Sequence, residues 1–388
     1  MIGQKGYPAL SGGIEKHVQE LSERLVNQGH EVTVFCRGWY CGQEKPVSGV
    51  KRIFLPTIHT KHLDAIVHTF LSIIWAAKNK TEVFHIHGVG PALLAWLPKL
   101  LRPSAKVVVT FHCIDRKQQK WGAFARLSLW LGEIAACRFP DKTITVSKTL
   151  TEYVKKYKTE AVYIPNGVKI PKIENQKELL KQFGLEPDKY FIMVSRLVEH
   201  KGQKTLIEGW KKAQAERPEL FAGMKLAIVG GGAFTDAYVK ELKNIVAGDE
   251  SIVLTGEQTG ETLHALFTHA HSAIHPSLME GLPIAVLEAM SYGKCVLASD
   301  ISEHLEIVCD HGLAFRQGDA GHLAEHLIMM AESPDLTKHV GCQAAKFVQA
   351  NFSWDEIALQ TEILYKKILT ENIENPVTEW LMRKKPLL

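Results

Sequence analysis

KVVVTFHCID, Lys106–Asp115, carries apolar or β-branched side chains at five consecutive positions, Val107 to Phe111. Successive side chains of a strand point to opposite faces, so a strand of this composition is apolar on both sides. Such strands belong to sheets covered by helices on each face, as in parallel α/β folds. The run stops at His112, which sets an imidazole where a strand ends. That is a natural place for a hydrogen-bonding group in a cleft, but a single histidine is as readily structural.

The same pattern extends in both directions. Upstream, Ile14–Gln28 repeats apolar positions at helical spacing, and Glu31–Phe35 and Val83–Ile86 read as strands; downstream, Lys142–Val146 is another. VYIPNGVKIPK, Val162–Lys172, holds two prolines and an Asn-Gly and reads as a turn-rich hinge. Beyond it the alternation restarts, with strands expected at Tyr190–Ser195, Lys225–Val229, Ser251–Leu254, Ser272–Ile274 and Cys295–Ala298. At 388 residues the chain exceeds one core. The expected architecture is α/β: two doubly wound domains facing each other across a cleft, residues 1–168 and 169–351, with a final segment 352–388. Ligands of such sheets lie beyond the carboxyl ends of the strands, so the chemistry is sought in those loops.

Composition narrows the class. With 46% hydrophobic and 23% charged residues and no repeat, the chain is an ordinary globular one. The net charge of +4 hides a division: residues 1–168 hold 23 Lys+Arg against 12 Asp+Glu, the remainder 23 against 30. Either oppositely charged faces meet each other, or the basic half rests on an anionic surface such as lipid head groups or a phosphorylated substrate. The acidic second half and the lack of a recognition motif disfavour nucleic acid. Seven scattered cysteines without a CxxC fit a reducing compartment. No signal peptide is expected, and the apolar runs near Ala65–Ala77 and Val89–Leu97 fall short of the ~20 residues a membrane span requires. A cytoplasmic protein is expected, peripheral on the inner face of the membrane if it meets one.

Four loops carry candidate chemistry. In YPALSGGIEKHV, Tyr7–Val18, the pair Gly12-Gly13 precedes a helix, where backbone approaches a ligand closely and free N–H groups meet a phosphate. An ordinary tight turn reads the same way. In VSRLVEHKGQKTLIEG, Val194–Gly209, Arg196 and Lys201 flank a strand-to-helix turn and suit a diphosphate. AIVGGGAFTDAY, Ala227–Tyr238, has Thr235 where a dinucleotide fingerprint needs its third glycine, so it reads as a tight turn. EGLPIAVLEAMSYG, Glu280–Gly293, sets two carboxylates among apolar residues: Pro283 suits a first helical turn, Glu280 lies just before it, and Glu288 sits inside a helix read as buried. A buried carboxylate needs donors; a ribose diol and a Lys/Arg partner both supply them. HIHG, His85–Gly88, puts two imidazoles on one strand face. No HExxH or acidic cluster accompanies them and DxD is absent from the chain, so no metal is expected.

Taken together, Gly12-Gly13, His112, Arg196 with Lys201, and Glu280-x7-Glu288 resemble the retaining GT-B enzymes of glycosyltransferase family 4. IPNGV (Ile164–Val168) and FSWDEIALQTEILYKKIL (Phe352–Leu369) extend the likeness over nearly the whole chain. KGYPALSGGIEKHV and QKWGAFARLSLWLGE (Gln119–Glu133) resemble a bacterial branch acting on polysaccharide or lipid-linked sugars. The resemblance implies a hexose-type transfer from a nucleotide-diphosphate sugar in cell-envelope glycan synthesis, without metal or other cofactor. It implies that Glu288 binds the ribose, that Glu280 with Gly281, Leu282 and Pro283 meets the donor, and that Arg196 and Lys201 neutralise the leaving diphosphate. Gly12 and Gly13 would close on the same phosphates, and His112 would contact the donor sugar near the anomeric centre by a front-face route. The last helix would cross back onto the first domain.

Family members begin with a full strand before the glycine loop, whereas only Met1-Ile2-Gly3 stands here, so that strand is expected short or missing. Arg102, Lys106, Arg116, Lys117, Lys120 and Arg126, with Trp96, Trp121 and Trp130, would suit docking on an anionic membrane. Two other readings stand beside transfer: another enzyme on the same fold, an epimerase-like sugar-nucleotide enzyme or a phosphorylase, and a non-catalytic sugar-nucleotide sensor.

Overall fold

Each half of the chain is organised by a parallel sheet that reverses direction once. The computed structural model describes residues 1–42, 48–60, 63–117, 121–171, 176–232 and 235–371. They form two compact units, one of Met1–Gly167 with the chain from Trp354, the other of Val168–Ser353.

In the first unit β3 (Val83–His87), β4 (Lys106–Phe111), β5 (Lys142–Thr145) and β6 (Val162–Tyr163) pair in that order, all parallel. β1 (Thr33–Arg37) and β2 (Lys51–Leu55) pair separately. The abbreviated first strand joins the two groups. Ile2 bridges Ile86 of β3 in parallel, its N–H donating to His85 O at 2.9 Å and its carbonyl accepting from His87 N at 2.8 Å. On the other side Met1 O accepts from Phe35 N of β1. Two residues therefore do the work of a strand, and the chain reverses its winding there.

The second unit holds six parallel strands in the order β12-β11-β10-β7-β8-β9: β7 Tyr190–Val194, β8 Lys225–Val229, β9 Ile252–Gly256, β10 Ser272–His275, β11 Val296–Ser299 and β12 Leu313–Phe315. The chain winds outward from β7 to β9, returns to lay β10 on the opposite side of β7, and winds outward again. The reversal between β7 and β10 is the switch point at which doubly wound sheets open a crevice at their carboxyl ends.

Burial explains the sequence pattern. Val107, Val108, Val109 and Phe111 of β4 are fully buried, as are Phe191, Ile192 and Met193 of β7. Three strands were not read from the sequence: β2, which opens on Lys51-Arg52, the three-residue β12, and β6, which lies inside the expected hinge. β6 has only two residues, too few for a periodic signal. Pro283 is also displaced: it caps the helix Ile284–Ser291 from outside instead of sitting in its first turn.

The helix Trp354–Thr370 belongs to the first unit and packs on the helix Gly13–Asn27. Trp354 is buried against Gly167, where an added Cβ would sit 2.6 Å from the indole. Arg24 reaches Asp355 at 2.6 Å, and His85 Nδ1 meets the Tyr365 hydroxyl at 2.5 Å. Replacing Trp354 with Ala removes a fully buried indole and is expected to cost about 3–5 kcal/mol. Urea unfolding followed by circular dichroism measures this, and a loss below 1 kcal/mol would mean that the last helix does not anchor this unit.

Candidate active site

At the switch point of the second unit, β7 runs out into Ser195-Arg196 and the 3-10 turn Glu199–Lys201, while β10 runs out into the loop from Pro276 to Pro283. Gly202 brings the two together. Its φ of +76° is the left-handed region, and an added Cβ would lie 2.1 Å from Pro276 O, so no other residue fits. Leu278 N donates to His200 O at 2.8 Å and fastens the contact. Gln203 holds the Arg196 turn, its Nε2 donating to Ser195 Oγ at 3.0 Å and Arg196 O at 2.9 Å.

This geometry sets Lys201 against Glu280. Lys201 Nζ donates to Glu280 Oε1 at 2.5 Å, and His275 Nε2 donates to the same oxygen at 2.9 Å. The Glu280 side chain is only 9% exposed. Burial by itself would raise its pKa, but Lys201 and His275 outweigh that and hold it well below the usual carboxylate range. His275 is held below the ordinary imidazole value by burial, against the pull of Glu280. Beneath them His304 donates Nδ1–H to Ser299 O at 2.9 Å, and burial lowers its pKa to about 3. The set is therefore an ammonium, a carboxylate and two neutral imidazoles.

Of the other sequence-read residues of this unit, Arg196 lies exposed five positions before Lys201, and no side-chain bond ties its guanidinium among the described residues. Glu288 is half-buried, not buried as read: it and Ala285, one turn before it, are the two residues of the helix Ile284–Ser291 that are incompletely buried. Gly281, Leu282 and Pro283 are buried in the loop after Glu280.

The first unit positions its own candidates likewise. Gly12, at φ +102°, caps the helix Gly13–Asn27, of which Gly13 is the first residue. The Glu15 carboxylate fills the place of a Gly12 side chain and accepts the Lys5 N–H at 3.1 Å. Tyr40 OH accepts from Leu10 N and Ser11 N, both at 2.8 Å, which fixes the loop entering the helix. His112, at the carboxyl end of β4, stands in a buried cluster with His17 and His87 whose ring nitrogens lie within 4.8 Å of one another. His17 Nδ1 is 2.9 Å from Asn166 Oδ1, and its ring packs edge-on against Trp354. Sequence reading missed His17, His275, His304 and Glu15. His275 alone had a visible signal, ending an apolar strand five residues before Glu280.

Comparison with known proteins separates the candidate chemistries. The profile of the Glycosyltransferase Family 4 domain matches residues 11–170, and that of Glycosyl transferases group 1 matches residues 175–347. The chain belongs to the family 4 glycosyltransferases. It is a transferase, and its fold is GT-B. This glycosyltransferase is 24% identical to the uncharacterized glycosyltransferase MJ1607 of Methanocaldococcus jannaschii, over 92% of its own length and 95% of the relative's. It is 25% identical to the phosphatidyl-myo-inositol mannosyltransferase of Mycolicibacterium smegmatis, covering 95% and 94%. In structure it is similar to HepE of Anabaena in complex with UDP and glucose, with TM-score 0.78, 17% identity and coverage of 94% and 98%.

The buried imidazoles make stability depend on pH. Burial lowers His17 and His68 to about 4 and His304 to about 3, and holds His85, His87 and His112 well below 6.5. Each is neutral in the folded enzyme, while its unfolded counterpart takes up a proton below pH 6.5. The stability they confer is complete above that pH and is lost as pH falls towards 4. By pH 5 each loses about 2 kcal/mol at most. Urea midpoints should therefore drop steeply between pH 6.5 and 5, and a flat profile would mean that the folded enzyme protonates these rings.

Proposed function

We propose that the enzyme moves a hexose-type sugar from a nucleotide-diphosphate sugar to a lipid-linked or polysaccharide precursor, with retention and without a metal. The observation that carries this reading is the Lys201–Glu280 pair at the β7/β10 switch point, with Arg196 exposed on the same loop after β7. Breaking a glycosyl–diphosphate bond leaves negative charge on the departing oxygen, and fixed cations stabilise it most. An ammonium has three N–H groups, so Lys201 keeps two for phosphate while one holds Glu280. Glu280 Oε1 is taken by Lys201 and His275, which leaves Oε2 to accept a hydroxyl of the donor sugar. The UDP and glucose in the HepE complex support a nucleotide-sugar donor here, and the mannosyl transfer in the name of the mycobacterial relative supports a hexose.

Glu288 then binds the ribose hydroxyls, and Gly12 and Gly13 offer backbone N–H groups to the phosphates. His112 meets the donor sugar. In the retaining step the acceptor oxygen bonds to the anomeric carbon on the face from which the diphosphate oxygen departs, and that oxygen takes the acceptor's proton. Lys201 and Arg196 then neutralise the diphosphate in place of a divalent ion. With UDP-glucose and GDP-mannose as probe donors, Lys201→Ala or Arg196→Ala should each lower turnover on the order of 10²-fold. Near-normal turnover, or product of inverted anomeric configuration by NMR, would overturn the assignment, and so would loss of activity in EDTA.

A membrane-borne acceptor is supported by the surface of the first unit. The helix Ala123–Arg138 exposes Phe124 (81%), Leu127, Trp130 and Leu131, with Arg126 and Lys117 exposed nearby. It packs on the short helix Val89–Ala92, after which Trp96, Leu100 and Leu101 are also exposed. Lys120 lies outside the described residues. Aromatic and aliphatic side chains beside basic ones suit the inner, anionic face of a membrane. No helix among the described residues is long and apolar enough to cross one. In flotation at low salt the enzyme should rise with vesicles containing anionic lipid, and Phe124→Asp with Leu127→Asp should abolish this; equal recovery without anionic lipid would contradict it.

A further inference from the structure

The histidines around His112 form a chain with a direction. His87 Nε2 lies 3.5 Å from Met1 Sδ, and a thioether only accepts, so that nitrogen carries the hydrogen. The lone pair of neutral His87 is then on Nδ1. That nitrogen faces His112 Nε2 at 3.2 Å, and one proton fits between them. It belongs to His112, whose own lone pair falls on Nδ1. No hydrogen bond engages His112 Nδ1 among the described residues.

The surroundings keep this arrangement uncharged. His85 lies beside His87, ring centroids 4.1 Å apart, and is itself fixed by Tyr365 OH and by Thr110 Oγ1 at 2.7 Å. His17 sits edge-on to His112 with centroids 4.9 Å apart and is bound to Asn166. None of the hydrogen bonds described for these four rings goes to a carboxylate, so a proton added to any of them finds no counter-charge. The His87–His112 bond also occupies the lone pair that a metal shared by these rings would need.

We infer that His87 is a positioning residue that holds His112 in the Nε2–H tautomer, so that His112 meets the donor sugar as a neutral hydrogen-bond acceptor. The inference rests on the reading that His112 faces the donor. It assigns His112 to binding a sugar hydroxyl near the reacting carbon and excludes it as the acid that protonates the leaving group. His87→Leu removes the acceptor for Nε2–H, whereas His87→Asn places an amide oxygen close to the former Nδ1.

The tautomer is read directly in the ligand-free, full-length protein. Two-bond 15N–1H correlation of histidine-labelled enzyme at pH 7, with the His112 signal assigned by its loss in His112→Gln, distinguishes the forms. The expected result is Nε2-protonated His112 in wild type and in His87→Asn, and a mixed or reversed tautomer in His87→Leu. Turnover of UDP-glucose or GDP-mannose should fall on the order of 10²-fold in His87→Leu with KM little changed, and recover in His87→Asn. Nδ1-protonated or doubly protonated His112 in the wild type overturns the inference. So does a stoichiometric Co2+ absorption band that disappears in His17→Gln, since the rings would then be ligands. Should His87→Leu not fold, the wild-type and His87→Asn spectra still decide. The spectrum needs no substrate, so failure of the transferase reading is seen separately, in the donor assays.

Discussion

A carboxylate withdrawn from water remains ionised only where donors replace the hydration it has lost, and Glu280 has two of them on a single oxygen. Lys201 approaches from the turn after β7 and His275 from the end of β10, so the charge is held by the two strands that flank the winding reversal. Lys201 could not arrive without Gly202, whose missing side chain lets the two loops touch. The pair is thus a consequence of topology: a parallel sheet that changes direction between β7 and β10 must set these two loops side by side.

An ion pair so shielded contributes little to folding by itself, because desolvation of two charges offsets much of their attraction. Its value here is positional. One N–H of Lys201 and one oxygen of Glu280 are committed to each other, and the remaining groups are held ready for a ligand. The first unit uses the same economy with neutral groups. His17, His85, His87 and His112 are buried, hydrogen-bonded and uncharged, and they are braced by Trp354 and Tyr365 of the last helix. Both units bring polar groups together at the carboxyl ends of parallel strands, His275 and Lys201 in one and His87 and His112 in the other.

Much of this was legible in the chain itself. Strands apolar on both faces, such as Val107–Phe111 and Tyr190–Val194, announce a covered parallel sheet without further context. Arg196, Lys201 and Glu280 stand out because charge at a strand's end is unusual enough to notice. What could not be read depends on contacts distant in sequence. His17 and His112 are 95 positions apart, His85 and Tyr365 280, and no local pattern joins them. Short strands escape for a different reason: Val162–Tyr163 is too brief for any period, and Ile2 is held in the sheet by neighbours on both sides. Glu288 was read as buried because its flanks are apolar, yet a helix can be apolar around most of its girth and still turn one stripe outward.

The account turns on whether Lys201 supplies binding to a diphosphate, and titration calorimetry with nucleotides measures that without any acceptor or knowledge of the sugar. UDP, GDP, ADP and dTDP are compared with their monophosphates on the wild type and on Lys201→Ala. At least one diphosphate should bind more tightly than its monophosphate to the wild type, and this advantage should vanish in Lys201→Ala while monophosphate affinity stays. A diphosphate preference that survives the loss of Lys201, or its absence from the wild type for all four bases, would contradict the account.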